Sequence, residues 1–465
     1  MLCGESPMRL PGLRLMPTHS SAIQASARLV RDDDGQPIPR LAEQYLEREY
    51  LLSGTARRYA GPATGPATVL SDGHRYLTRI VARYPSDPEL FSGRVVIEPF
   101  NTSTGLDRDV LWARAGSLLQ VQGDAWIGVS ARAASARRLK NLDPNRYGAL
   151  DFSSNDLAWD VFEQLGRLVK QSGGSAVLPD LAVNHVYLGG YSQTGADTAT
   201  FAMAFHAAAR IGARPVYDGY FPASHAASVT PLASGTSWHP RFEIVAMRAV
   251  DVPVVQMETQ TDVEGFVAEL HPGHNYINPG GASVRRPDSD LLDDRYRLYE
   301  VAGAPHAARI PGCAGNGSDF PTSAFVRASL SVLFGWAEDG RTPPRAPRIA
   351  LSIDDVVSVA ELDEYGNAVG GVRSPFVDVP LSCYEVHSTP GPLCKLSGRE
   401  AVLDADVLAR CYGDASTYLS KFAASLDATI DAGFLLPLDR AALLASAAAS
   451  AERAFAGGEA SGLAG

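Results

Sequence analysis

Two patterns of apolar residues follow one another along the chain. Residues 49–60 and 74–84 alternate apolar and polar side chains, which predicts antiparallel strands with one buried face. Four later runs are short, continuous and rich in β-branched residues: 95–100, 125–130, 185–189 and 252–257. Such runs are typical of strands that are buried on both faces, as in a parallel sheet.

Helical patterns lie between and after these runs. Residues 155–170 carry apolar side chains at helical spacing behind an Asn cap, and residues 195–210 are Ala-rich and begin in a tight turn. A third helix is predicted over 323–337. Because strands and helices alternate over roughly 90–340, we predict an α/β fold with a mostly parallel, doubly wound sheet and N-terminal antiparallel strands.

The composition changes near residue 341, where a Pro-rich stretch (RTPPRAPRI) begins, and residues 400–456 are strongly helical. A C-terminal helical extension is therefore expected to belong to the same catalytic unit as the sheet. The predicted organisation has four parts: an irregular N-terminal arm (1–44), a core (45–340), an extension packed on the core (341–456) and a flexible tail (457–465).

Charge and composition exclude some functions. The net charge of −11 argues against nucleic-acid binding, which needs a basic face. No run of about 18 apolar residues occurs, so no membrane-spanning helix is expected. The N-terminus lacks the compact apolar core of a secretory signal, which favours a cytoplasmic protein. The sequence carries no signal for an oligomeric state.

The five cysteines include no CxxC pair, so a structural zinc site is not expected. Cys383 and Cys394 are close enough in sequence to form a disulfide. Free cysteines are the favoured alternative, because the count is odd and no leader is visible.

The candidate nucleophile lies in the stretch LGGYSQTGAD, residues 188–197. A buried-type strand ends there, Ser192 follows in a Gly-flanked turn, and the Ala-rich helix begins. This is the layout of a nucleophile elbow, in which small residues let the strand and the helix approach each other. Thr194 stands where the commonest pattern has Gly, so the match is to a variant. The alternative is that Ser192 is an ordinary helix cap.

Candidate partners follow in the order of an α/β-hydrolase triad: serine, acid, histidine. Asp262 lies on a loop directly after the 252–257 strand, and Glu258, nearer the strand end, is the alternative acid. His306 lies on a small-residue loop after a strand predicted at 297–301, which suits a general base.

Acyl transfer also needs two N–H donors for the developing oxyanion. One is predicted to be the backbone N–H of Gln193, directly after the nucleophile, where the N-terminus of the helix would also favour negative charge. The other is expected from the small polar loop after the 95–100 strand, with Thr102 or Asn101 as donor. A plain turn is the alternative for that loop.

With these residues the chain resembles the serine α/β-hydrolase superfamily, and within it a bacterial family described only as alpha/beta hydrolase domain proteins. The motifs that carry the resemblance are EYLLSGTA (49–56), VIEPFNTSTG (96–105), DPNRYGAL (143–150), GGYSQTGAD (189–197), YDGYFPA (217–223), VPVVQMETQTDV (252–263), YEVAGAPHA (299–307), GNAVGGVRSPFVDVP (366–380) and AGFLLPLDRAALLASA (432–447). The resemblance covers roughly residues 45–455. It implies an esterase-like serine hydrolase with Ser192, Asp262 and His306 as its triad, and leaves the substrate open.

We therefore predict a serine esterase that acts on a small-molecule carboxylic ester through an acyl-enzyme and needs no metal or organic cofactor. An acyltransferase, lactonase or amidase would use the same triad and is the alternative. A binding protein on a hydrolase scaffold is disfavoured by the intact set of serine, acid and histidine. Several aromatic residues could line a pocket for a bulky, fairly apolar ester, although a core position is the favoured alternative for most: Trp112, Trp126, Tyr147, Tyr220, Phe221 and Trp238.

Overall fold

The structure, a computed structural model, describes most of the chain. The described residues are 10–17, 44–171, 174, 176–233, 235, 243–271, 274–315, 317–354, 357–391 and 393–460. They form two compact units. The first contains residues 10–17, 44–254 and 289–296, and the second contains residues 255–288 and 297–460, each with the gaps given above.

The first unit is built on a sheet with helices in the connections. Its strands are β1 (Gly12–Leu15), β2 (Tyr45–Ala60), β3 (Thr68–Pro85), β4 (Arg94–Pro99), β5 (Ala125–Val129), β6 (His185–Tyr191), β7 (Arg210–Ile211), β8 (Arg214–Pro215), β9 (Gly219–Ala223), β10 (Ser228–Val229) and β11 (Glu243–Ile244). Its helices are α1 (Val110–Gln122), α2 (Ala133–Leu142), α3 (Pro144–Tyr147), α4 (Ala158–Gln171) and α5 (Gln193–Ala204), with 3-10 turns at Pro88–Leu90 and Asn155–Leu157.

The strand order in this unit explains both apolar patterns of the sequence. The order is β1-β2-β3-β5-β4-β6-β9. Strands β1, β2 and β3 pair antiparallel, as does β3 with β5, whereas β4 pairs parallel with β5 and β6, and β6 pairs parallel with β9. The parallel strands β5 and β9 are buried at every position, as expected for strands covered on both faces.

The second unit follows the same alternation and then becomes helical. The elements after β11 are β12 (Val254–Thr259), α6 (Gln260–Val263), β13 (Phe266–His271), β14 (His274–Asn278), β15 (Ser289–Leu291), β16 (Asp294–Val301), α7 (Thr322–Glu338), β17 (Leu351–Asp354), β18 (Val357–Ala360), α8 (Pro375–Asp378), β19 (Ser382–Glu385), β20 (Arg399–Val402), α9 (Ala405–Tyr412), α10 (Ala415–Asp431) and α11 (Arg440–Ala460), with 3-10 turns at Gly281–Val284, Leu393–Leu396 and Pro437–Asp439. Strand β15 and the first residues of β16 belong to the first unit. Strand β12 lies beside β16, and hairpins are formed by β13–β14, β17–β18 and β19–β20.

The predicted fold class, a mostly parallel α/β sheet with N-terminal antiparallel strands and C-terminal helices, is confirmed. Details of the predicted segments differ. Within the predicted N-terminal arm, Gly12–Leu15 pairs with β2, and residues 1–9 and 18–43 lie outside the described part. The predicted boundary at residue 340 falls inside the second unit, and α11 continues four residues into the predicted tail.

The Cys383–Cys394 disulfide, which the sequence left open as a possibility, does not form. Cys394 forms its disulfide with Cys313, 81 residues away in sequence, where the two Cα atoms lie 5.3 Å apart. Cys383 lies on β19, where its thiol donates to the carbonyl oxygen of Gly366, and it is one of two free cysteines in the described part of the chain, with Cys411. The favoured alternative of free cysteines is therefore also wrong for Cys394. Closeness in sequence was misleading, because a strand pairing carries Cys383 away from Cys394.

A buried charged cluster joins β2 to α4 in the first unit. The Asp160 carboxylate accepts the backbone N–H of Arg57 at 2.8 Å and its Nε–H at 3.1 Å, and it also accepts the hydroxyl of Tyr59. The Asp160 side chain is 2% exposed. Burial and the adjacent Asp160 raise the pKa of Tyr59 well above its usual range, so its hydroxyl stays a donor.

We expect Asp160→Ala to lower the free energy of unfolding by about 3 kcal/mol, because it leaves Arg57 and the Tyr59 hydroxyl without their shared acceptor. Chemical denaturation followed by circular dichroism measures the change. The matched control is Asp427→Ala, which removes an exposed partner of Arg440 and should leave the denaturation midpoint unchanged. Equal midpoints for the two variants would contradict a stabilising role for the buried cluster.

Candidate active site

Ser192 stands between β6 and α5 in a backbone conformation that L-residues rarely adopt. Its φ is +63° and its ψ is −123°. The Ser192 backbone N–H donates to the carbonyl oxygen of Ala223, the last residue of β9, at 2.9 Å. Non-glycine residues in such conformations are held by their surroundings and cluster at functional sites. Ser192 thus lies in a sharp turn between a strand and a helix.

Two glycines permit the close approach that this turn needs. A Cβ atom on Gly190 would overlap the carbonyl group of Thr194, and one on Gly195 would overlap the carbonyl oxygen of Ala223. The backbone itself therefore excludes any side chain at positions 190 and 195. Glycine is required at both for steric reasons, and at neither for a positive φ.

Thr194 closes the elbow in place of the Gly found in the commonest pattern. Its side-chain oxygen accepts the backbone N–H of Tyr191 at 3.1 Å and donates to the Tyr191 carbonyl oxygen at 3.2 Å. The residue is fully buried. The threonine therefore satisfies the backbone groups of the residue directly before Ser192 and fixes the turn from inside.

In the second unit, Asp262 and His306 form a hydrogen-bonded pair. His306 Nδ1 lies 2.8 Å from Asp262 Oδ1. The other carboxylate oxygen of Asp262 accepts the backbone N–H of Thr259 at 3.2 Å and its hydroxyl at 2.5 Å. The Asp262 side chain is 4% exposed and that of His306 13%. A carboxylate on Nδ1 holds the imidazole in the tautomer whose Nε2 accepts a proton.

The loop that carries His306 is also joined to the helix that carries Asp262. Gln260 donates its backbone N–H to the carbonyl oxygen of Ala304 at 3.0 Å, and its side-chain oxygen accepts the N–H of Gly303 at 2.8 Å. The N–H of His306 donates to the hydroxyl of Thr261 at 3.1 Å. For Glu258, the alternative acid, the structure shows a hydrogen bond from the side-chain amide of Gln256 at 2.8 Å.

The three predicted oxyanion residues meet at the elbow. Asn101 Nδ2 donates to the carbonyl oxygen of Tyr191 at 3.1 Å. The backbone N–H and the hydroxyl of Thr102 both donate to Gln193 Oε1, at 2.9 and 3.1 Å. The loop after β4 thus lies directly against the residue that follows Ser192. In this structure the Gln193 carboxamide oxygen accepts both of the hydrogen bonds that Thr102 donates.

A buried carboxylate anchors the helix that follows this loop. Glu98 accepts the N–H groups of Leu111 and Trp112, at the start of α1, at 2.6 and 2.9 Å, and the indole N–H of Trp126 at 2.8 Å. Burial, with the nearby Asp109, raises the pKa of Glu98 to about 8, and the three N–H donors act against that rise. Glu98 therefore sets where α1 begins and where the preceding loop must end.

Several residues near the elbow carried no clear signal in the sequence. Ser224, Ala226 and Ala227 have φ values of +50°, +53° and +54°, directly after β9 and beside the elbow. A run of such values without glycine marks a segment held by its surroundings. Arg114 places its guanidinium 3.9 Å from the ring centroid of Tyr191, the residue directly before Ser192.

The aromatic residues suggested as pocket lining are core residues wherever the structure describes them. Those in the first unit are at most 2% exposed: Trp112, Trp126, Tyr147, Tyr220 and Phe221. Trp238 lies outside the described residues. Among the described residues there is no group of three or more His, Cys, Asp or Glu side chains that could hold a metal ion. No helix in the described part of the chain has the length and apolarity needed to cross a membrane.

A parallel sheet with a serine on a strand-to-helix elbow after β6 defines an α/β-hydrolase fold. The chain belongs to the alpha/beta hydrolase domain family, whose profile matches residues 17–445. This confirms the family resemblance seen in the sequence. No curated protein sequence matches the chain.

Solved structures of esterases are similar to parts of the chain at low identity. The rice cell wall degrading esterase LipA from Xanthomonas oryzae is 12% identical, with 47% of this chain and 50% of that chain covered and a TM-score of 0.24. Esterase B from Lactobacillus rhamnosis is 13% identical, with coverage of 48% and 68% and a TM-score of 0.25. A Pyrobaculum calidifontis esterase is 12% identical, with coverage of 49% and 68% and a TM-score of 0.26. The chain therefore spans half the length of the LipA chain it matches.

We expect Thr194→Val to lower the free energy of unfolding by about 1–3 kcal/mol, because it removes the buried hydroxyl that accepts the N–H of Tyr191 and donates to its carbonyl oxygen. That carbonyl oxygen keeps its hydrogen bond from Asn101 Nδ2. Thr194→Ser keeps the hydroxyl and is the matched control, expected to lose less. Thermal unfolding of both variants measures the difference. Equal melting temperatures for the two would show that the hydroxyl does not stabilise the elbow.

Proposed function

We propose that the protein is a serine hydrolase that cleaves carboxylic esters, with Ser192 as nucleophile, His306 as general base and Asp262 as the orienting acid. The observation that carries the proposal is the backbone of Ser192. A serine held at φ +63° between a strand and a helix, with glycines where a Cβ would clash, serves no evident packing purpose. The Asp262–His306 pair supports it, because a carboxylate-bound imidazole is the base such a serine requires.

The reaction follows from these groups. His306 Nε2 takes the proton of the Ser192 hydroxyl as Oγ attacks the ester carbonyl carbon, and Asp262 stabilises the imidazolium through Nδ1. The tetrahedral oxyanion collapses, the imidazolium protonates the leaving alcohol, and an acyl-enzyme remains. A water that loses its proton to His306 then attacks the acyl carbon, and Ser192 leaves with that proton.

Oxyanion stabilisation is assigned to the backbone N–H of Gln193 and a donor from Asn101 or Thr102. Thr102 offers an N–H and a hydroxyl that donate to the same oxygen, Gln193 Oε1, within 3.1 Å. Two donors that converge on one oxygen form the kind of site that a carbonyl oxygen needs as its negative charge grows. In the proposed reaction the substrate oxygen replaces the Gln193 carboxamide as their acceptor.

A bulky, fairly apolar ester is the substrate class that the sequence suggested, although the aromatic residues invoked for it are buried in the core of the first unit. A panel of esters that varies the acyl and alcohol parts separately tests it. An acyltransferase, lactonase or amidase would share the acyl-enzyme and differ in the acceptor or the bond cleaved. Product analysis with water and an alcohol in competition, together with lactone and amide substrates, separates these reactions.

Ser192→Ala should abolish turnover of p-nitrophenyl esters, because it removes the nucleophile and leaves the fold intact. The matched control is Ser420→Ala on the exposed face of α10, which should retain wild-type activity. A fluorophosphonate probe should label the wild type and the Ser420 variant but not the Ser192 variant. Near wild-type turnover by Ser192→Ala would overturn the proposal.

Asp262→Asn should lower kcat by about 10⁴-fold, because an amide on Nδ1 favours the wrong imidazole tautomer. Glu258→Gln tests the alternative acid and should change kcat far less. Steady-state kinetics on the same ester compares them. A larger loss from Glu258→Gln than from Asp262→Asn would transfer the role of the acid to Glu258.

A further inference from the structure

A segment far from Asp262 and His306 in sequence contacts residues that lie next to each of them. We call residues 386–389 and 393–398 the clamp segment, and residues 302–314 the histidine loop. The N–H of Ala307, next to His306, donates to the carbonyl oxygen of Leu396, and its own carbonyl oxygen accepts the N–H of Gly398, both at 2.9 Å. Ile310 donates its N–H to the hydroxyl of Ser397 at 3.0 Å. The histidine loop thus takes the backbone partners of Ala307 and Ile310 from the clamp segment.

The Cys313–Cys394 disulfide joins the same two segments covalently. Beside it, the N–H of Ala314 donates to the carbonyl oxygen of Thr389 at 2.5 Å, and the hydroxyl of Ser388 donates to the carbonyl oxygen of Ala314 at 2.9 Å. The bond spans 81 residues of sequence and lies seven residues after His306. The far end of the histidine loop is therefore fixed by a covalent bond, and its near end by backbone hydrogen bonds.

The clamp segment also contacts the helix that carries Asp262. The hydroxyl of Thr261, which accepts the N–H of His306, donates to the carbonyl oxygen of Val386 at 3.0 Å. His387 places Nε2 3.2 Å from a carboxylate oxygen of Glu264, and its Nδ1 contacts the carbonyl oxygen of Lys395 at 2.6 Å. One segment therefore contacts residues adjacent to both members of the carboxylate–imidazole pair.

We propose that the clamp segment, fixed by the Cys313–Cys394 disulfide, is a positioning element that holds His306 against Asp262. The proposal rests on the proposed function, in which His306 is the base. General bases lose efficiency steeply when they are misplaced, since a shift of about 1 Å costs on the order of 10²-fold in rate. The disulfide limits such a shift because it restrains a loop that has little regular secondary structure of its own.

The test is the Cys313→Ser/Cys394→Ser double variant, assayed at a temperature where circular dichroism shows it folded. We expect kcat to fall by about tenfold or more, with KM within about twofold, because the base moves while the substrate contacts stay. The matched control is Cys383→Ser/Cys411→Ser, which removes the two free thiols that the structure describes and should keep wild-type kcat. Should the cystine-free variant not fold, reduction of the folded wild type, with the free-thiol variant treated alike, makes the same comparison.

A double-mutant cycle separates positioning from general stabilisation. In an Asp262→Asn background the loss of the disulfide should lower kcat by less than about twofold, because the paired geometry is already lost. A purely structural disulfide would change kcat by the same factor in both backgrounds. Wild-type kcat in the folded cystine-free variant, or equal factors in the two backgrounds, would overturn the proposal.

A readout that does not require hydrolysis keeps this proposal distinct from the proposed function. The hydrogen-bonded Nδ1 proton of His306 should give a downfield proton resonance, assigned by its absence from His306→Ala. We expect that resonance to disappear or broaden in the cystine-free variant and to persist in Cys383→Ser/Cys411→Ser. If Ser192→Ala keeps its activity, the proposed function fails, and this resonance still decides the clamp: its loss supports positioning, and its persistence overturns it.

Discussion

The close approach of α5 to the ends of β6 and β9 is the constraint on which the elbow depends. Gly195 lies so near the carbonyl oxygen of Ala223 that no side chain fits between them, and the N–H of Ser192 is bonded to that same oxygen. The strain of the Ser192 backbone costs about 1–3 kcal/mol. The buried contacts of α5 and the Thr194 hydrogen bonds offset that cost, so the helix cannot relax away from the strand without losing them.

The same constraint positions the residues proposed as oxyanion donors. Gln193 is the first residue of α5, and the tight turn brings it beside the loop that follows β4. There its side-chain oxygen accepts the hydrogen bonds from Thr102. That loop is itself held at both ends. Asn101 and Arg108 bond each other through their backbones, and Glu98 binds the first N–H groups of α1 just beyond. The positions of Ser192, Gln193 and Thr102 are thus consequences of backbone contacts, with side chains adding the final hydrogen bonds.

Much of this could be predicted from the sequence, because the signals were local. The continuous apolar runs gave the parallel strands, and the glycines around Ser192 marked the elbow. Thr259 and Asp262 also form a capping box, which is a local signal for the start of the short helix that carries Asp262. The partner of Cys394 and the strained segment after β9 could not be predicted. The first depends on a fold that brings together residues 81 positions apart, and the second contains no glycine to mark its positive φ values.

The contacts of the histidine loop also suggest a role for the chain after residue 341. Val372 pairs with the end of β16, directly before the loop, and residues 386–398 supply the partners of Ala307 and Ile310 within it. Arg373, in the GGVRSP motif, binds Asp363 and Asp378, which fixes the turn that presents Val372. The stretch after residue 341 therefore supplies contacts to the histidine loop that an α/β sheet alone would not contain, and the proposed positioning of His306 rests on them.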